Sequence, residues 1–144
     1  MTVRFRGLTI LEIVVATLMF LLAAIPLYRA LSAGAAKEVD STKLSMARKI
    51  LESMRAEVVA KPFKDVSDPL GGSTTLVDLP GGLFTNTVGE VLNVQKTYKD
   101  FEMTVKARFA TPGSVIEVKG SVVWTSTNGK PHAPEELTFL IIKP

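Results

Sequence analysis

The chain reads as an α+β protein, a long N-terminal helix packed on a small antiparallel β-sheet. Three observations predict this. Residues 8–31 are almost continuously apolar, and residues 44–58 carry apolar side chains at spacings of three and four. Residues 101–109 alternate apolar and polar positions, and two further strand-like stretches follow between turn signals up to residue 142.

The apolar run covers 24 residues, interrupted by Thr9, Glu12, Thr17, Pro26, Tyr28 and Arg29. A helix of that length covers roughly 36 Å, enough for a hydrocarbon core of about 30 Å. Arg4 and Arg6 precede it and supply a charged leader. The positive-inside rule then places the N-terminus in the cytoplasm, with everything beyond Arg29 outside the inner membrane. Membrane lipid is the first partner this implies, and Tyr28 falls where an interfacial aromatic anchor is expected.

Glu12 is the anomaly in this segment. An ionisable side chain in hydrocarbon costs about 2.5–3.5 kcal/mol on insertion scales, so a carboxylate here must have a use. A plain anchor accounts for the length and not for Glu12. A secretory signal peptide accounts for Ser32-Ala33-Gly34-Ala35-Ala36, a run of small residues suited to signal peptidase. The apolar stretch, however, exceeds the usual h-region of about 7–15 residues.

The helical pattern continues past the membrane. Leu44, Ala47, Leu51, Met54 and Val58 form one apolar stripe, while Lys43, Arg48, Lys49, Glu52, Arg55 and Glu57 form a mixed polar face. Pro62 ends the run. One helix over residues 8–60 follows, with an apolar half (8–31) and an amphipathic half (32–61). Pro26 removes a backbone donor and is the expected kink, with Gly34 a second weak point.

Residues 62–96 lose periodicity and collect breakers: Asp68-Pro69, Gly71-Gly72, Pro80-Gly81-Gly82 and Gly89. This stretch reads as a variable connection with a short strand over residues 73–79 and another within residues 83–94. Asp65, Asp68 and Asp78 match no calcium-loop spacing and read as solvated acids.

The rest of the head, which spans 62–144, is β. Phe101, Met103, Val105, Ala107 and Phe109 alternate with Glu102, Thr104, Lys106 and Arg108. Thr111-Pro112-Gly113-Ser114 leads by a turn into a strand over 115–124, and Asn128-Gly129 marks the next reversal before a strand over 137–142. Three strands in meander order leave one apolar face for the helix stripe to cover. Trp124 reads as a core or strand-end residue and His132 as an exposed loop residue.

Composition excludes several classes. There is no cysteine, hence no disulfide framework and no thiolate chemistry. The net charge of +3 becomes +1 without Arg4 and Arg6, and the remaining Lys and Arg are interspersed with acids. Nucleic-acid binding, which needs a clustered basic face, is not expected. His132 is the sole histidine, and no Ser/His/acid set, phosphate loop or metal spacing accompanies it. Neither enzymatic activity, a cofactor nor a metal is expected.

Arg6-Gly7-Leu8-Thr9-Ile10-Leu11-Glu12, with its basic leader and apolar continuation, resembles the processing site of type IV pilins and type II secretion pseudopilins. The resemblance implies cleavage of the leader (1–7) by a prepilin peptidase between Gly7 and Leu8, and N-methylation of Leu8. Leucine stands where the family usually has phenylalanine. It further implies that Glu12 serves assembly, pairing with the N-terminal amine of a neighbouring subunit. Pilin or pseudopilin subunits, the peptidase and an inner-membrane assembly platform are the partners implied. Met46-Ala47-Arg48-Lys49-Ile50-Leu51-Glu52-Ser53-Met54-Arg55-Ala56 and the tryptophan-bearing strand are similar to V-type minor pilins and I-type minor pseudopilins. The alternative from another class is an anchored or secreted periplasmic binding or adhesion module.

Overall fold

The computed structural model describes residues 9–144. Helix α1 spans Ile10–Val59. The chain divides into two compact units, Met1–Glu38 and Val39–Pro144, and α1 contributes to both.

In the first unit the helix starts at Thr9. The Glu12 N–H reaches both the Thr9 carbonyl (3.0 Å) and the Thr9 hydroxyl (3.3 Å). Thr9 therefore acts as an N-cap, meeting a donor that the helix itself leaves unpaired. The helix runs without interruption through Pro26. Proline brings no N–H, so the Leu22 carbonyl loses its usual partner one turn on. The large apolar side chains here are solvent-facing, Ile10 being 82% and Leu22 74% exposed. Such an apolar surface on a soluble element is unfavourable without a covering phase.

The second unit is an α+β head. Residues 39–59 of α1 lead into the short helix α2 (Phe63–Ser67) and a single turn at Asp68–Leu70. Strand β1 (Val77–Asp78), a second such turn (Gly81–Leu83) and helix α3 (Thr85–Thr97) follow. Strands β2 (Glu102–Thr111), β3 (Val115–Val123) and β4 (Glu135–Ile142) then complete an antiparallel sheet of order β1-β2-β3-β4. The expected meander is present, with β1 added as a two-residue edge in place of a strand over 73–79.

Both turns follow from their residues. Ser114 N–H returns to the Thr111 carbonyl at 3.1 Å, with Pro112 fixing φ and Gly113 at φ +73°, a conformation L residues resist. At the other reversal Gly129 (φ +77°) donates to Ser126, and Ser126 N–H donates to Lys130. This is a type I turn closed by a left-handed glycine.

The core lies between residues 39–59 of α1 and one sheet face. Ala47, Leu51, Met54 and Val58 of the expected stripe are buried, Leu44 is half-buried, and Ile50 joins them. Against them pack Val105, Ala107, Phe109, Ile116, Val118 and Val122. Gly120 lies in mid-strand, where a Cβ would meet Met54 Cε and come within 2.9 Å of Leu51 Cδ2. The missing side chain lets the helix approach β3 closely.

Two expectations are corrected. The strand expected within residues 83–94 is helix α3, whose N-terminus is closed by a residue far away in sequence. Lys43, expected on the polar face, is buried at 6% exposure because three head groups surround its ammonium.

Candidate functional site

Both threonines of the apolar helix segment have hydrogen-bond partners. Thr9 caps the first turn, and the Thr17 hydroxyl donates to the Ile13 carbonyl at 2.7 Å, hiding its donor inside the helix. Glu12 differs. Its side chain lies in the first turn, among Ile13, Ala16, Thr17 and Phe20 on the same open surface. Among the described residues the carboxylate has no hydrogen-bond or ion-pair partner. The positive end of the helix macrodipole favours an anion there, by about 0.3–1 kcal/mol at an exposed site. That is too little to offset burial in hydrocarbon. A cation brought by another group would supply the rest.

Of the other sequence-derived positions, Pro26 lies inside α1 beside an apolar surface strip of Ala23, Ala24, Leu27, Tyr28 and Leu31. Arg4, Arg6, Gly7 and Leu8 lie outside the described residues. The structure thus places Glu12 and Pro26 on one exposed apolar helix.

In the head, α1 is tied to the segment between β3 and β4. Lys43 Nζ donates to the Thr125 carbonyl at 2.7 Å, lies 3.4 Å from Asp100 Oδ2, and sits 5.1 Å above the Tyr98 ring. Asp100 also accepts from Thr125 N–H at 2.6 Å. Burial pushes the Asp100 carboxyl up, but the Thr125 amide, its own amide and Lys43 outweigh it and hold it below the ordinary value of 3.8. Three residues before Lys43, Asp40 accepts from the Ser126 hydroxyl and from Thr127 N–H (3.1 Å). The Ser126 hydroxyl is the main reason the Asp40 carboxyl is also lowered.

Trp124 is a core residue, 2% exposed, stacked on Phe101 at 5.8 Å and on His132 at 4.2 Å. His132 is therefore half-buried, unlike the exposed loop residue expected. Its Nδ1 lies 2.7 Å from the Ala133 carbonyl, which can only accept, so that nitrogen carries the proton. The arrangement is a packed aromatic cluster: His132 Nδ1 meets the loop backbone, while the buried Trp124 indole N–H has no hydrogen-bond partner among the described residues.

Asp65, Asp68 and Asp78 are exposed, and Asp78 pairs with Lys106 at 3.7 Å. No group of three or more His, Asp or Glu side chains among the described residues is placed to hold a metal. An open groove of about 450 Å³ separates α3 from β2, lined by Phe84, Val88, Val91, Leu92, Met103 and Val105 among others. Sequence reasoning missed it along with α3 itself.

Comparison with protein-family models, curated proteins and solved structures finds no match to this chain.

Proposed function

We propose that this protein is a structural subunit, a minor pilin or minor pseudopilin, that assembles into or primes a type IV pilus or type II secretion pseudopilus. The observation that carries the reading is the Glu12 carboxylate, without a partner among the described residues on an exposed apolar helix long enough to cross a membrane. Prepilin peptidase cuts after Gly7 and the new N-terminus, Leu8, is methylated. The freed ammonium of one subunit pairs with Glu12 of the next, and each lowers the other's desolvation cost. Before assembly the chain spans the inner membrane with its N-terminus cytoplasmic and its head periplasmic. An assembly platform then moves it into a filament whose helices pack side by side. Like contacts repeated head to tail yield an open filament where their rotation does not close into a ring.

The test is a charge series at one position. Glu12→Ala and Glu12→Gln should leave cleavage largely intact and lose incorporation into filaments or their priming complex. Glu12→Asp should retain a substantial part of it. Normal assembly by Glu12→Gln would leave the carboxylate with only its role at the helix start.

A further inference from the structure

We propose that Asn128 is a self-modification site: its carboxamide condenses with the Gly129 backbone amide and converts to aspartate and isoaspartate, at a rate restrained by Asp40 of α1. The chemistry needs a nitrogen with no side chain in its way and a carboxamide held against it. Asn128 and Gly129 are both exposed in the β3–β4 connection. Asn128 Oδ1 accepts from Lys130 N–H at 2.9 Å, which closes a ring around the Gly129 nitrogen. That bond folds the side chain toward the nitrogen that attacks it. It also places a donor on the oxygen where negative charge develops during the attack. Gly129 has no Cβ to block the approach.

Water is the only co-reactant. The Gly129 nitrogen gives its proton to solvent and bonds to Asn128 Cγ. The Cγ–Nδ2 bond breaks, and Nδ2 takes up a proton and leaves as ammonia. Water then opens the five-membered imide at either of its carbonyls. One opening gives aspartate. The other gives isoaspartate, in which the main chain runs through Cβ and gains one atom within the turn.

The closed loop opposes the first step. Gly129 N–H donates to the Ser126 carbonyl at 2.9 Å, so the proton that must leave is held. Ser126 N–H donates to the Lys130 carbonyl at 2.8 Å and closes the turn from the other side. The turn is in turn fixed from outside the loop, because Asp40 accepts from the Ser126 hydroxyl and from Thr127 N–H. Reaction therefore waits on a local opening, and the Asp40 bonds set how often that opening occurs. The other two asparagines, Asn86 and Asn93, are a control within the same chain. Both lie in α3 and precede Thr87 and Val94, whose branched side chains crowd the attacking nitrogen.

The test incubates the full chain in detergent at mildly alkaline pH and follows residue 128 by peptide mass spectrometry, with isoaspartate read by enzymatic methylation. Conversion at Asn128 is expected in the folded protein while Asn86 and Asn93 stay intact. It should run more slowly than in the same chain unfolded in guanidinium chloride. Asp40→Ala should speed conversion about fivefold or more, the worth of one lost hydrogen bond, with the head's circular dichroism retained. Asp40→Asn keeps the shape and weakens the bonds, so its rate should fall between the two; it carries the comparison if Asp40→Ala does not fold. An Asn128 that stays intact in the folded chain while the unfolded chain converts overturns the site. A folded rate equal to the unfolded one, or indifferent to substitution of Asp40, overturns the restraint by α1.

Discussion

Glu57 on α1 closes the N-terminus of α3, accepting hydrogen bonds at Oε1 from the Thr87 amide (2.7 Å) and hydroxyl (2.6 Å). Its Oε2 accepts from the Asn86 amide at 3.1 Å. Phe84, at the cap position, makes no side-chain bond of its own. A carboxylate thirty residues away meets both the unpaired amides and the positive end of the helix. Glu57→Ala should therefore destabilise the head by about 1–2 kcal/mol and Glu57→Gln by about 1 kcal/mol. Urea denaturation measures the loss, and amide exchange should localise it to α3.

The same contact sets a pH dependence. Burial works to raise the Glu57 carboxyl, but the Thr87 hydroxyl and amide, the Asn86 amide and Lys61 hold it below the ordinary 4.5. Asp40 and Asp100 are likewise held below 3.8. A depressed carboxyl binds its proton more readily in the unfolded chain. Its stabilisation is therefore complete above the unfolded value and lost as pH falls through the lower folded one. The melting temperature of the head should be insensitive to these groups near neutral pH and should fall below about pH 4.5. Glu57→Gln should make that acid decline shallower.

Gly120 offers a packing test. A methyl group there would collide with Met54 and Leu51, both buried against β3. Gly120→Ala should cost about 1–3 kcal/mol by overpacking. In a Met54→Ala background the same change should cost distinctly less, because the space has been vacated. The two changes in denaturation midpoint, compared as a double-mutant cycle, measure that coupling.

Lys43 gives a fourth prediction. Lys43→Met keeps the aliphatic stem and removes the ammonium that holds Asp100 and the Thr125 carbonyl. The loss should be about 1–3 kcal/mol, since a buried acceptor is left unpaired. Amide exchange in the β3–β4 connection should quicken in the same variant.

Much of this architecture is legible in the residues, for identifiable reasons. The strands around Val105 and Val118 have two-residue alternation, the one around Phe139 is a short apolar run, and proline-glycine or asparagine-glycine turns separate them. The stripe from Leu44 to Val58 survives because its spacing is regular and its partners form one flat face. Helix α3 is not legible, because Thr85, Thr87, Thr97 and Gly89 weaken its propensity and its cap comes from Glu57. Val88, Val91 and Val94 do recur at helical spacing, the one local signal that could have found it. Lys43 and His132 depend on long-range neighbours, Asp100 and Trp124, that no local pattern announces. At the candidate site the sequence singles out Glu12 by its cost in lipid. What it does not hold is the partner, since a group shared between chains has no pattern in one of them.

The most direct test is the mature N-terminus of the protein, read by intact mass and N-terminal sequencing from membranes that contain a prepilin peptidase. The expected result is a chain that begins with N-methylated Leu8 and keeps Glu12 and the whole apolar helix. A chain that begins near Ala36, or one that retains Met1 to Gly7 despite an active peptidase, would contradict the assignment.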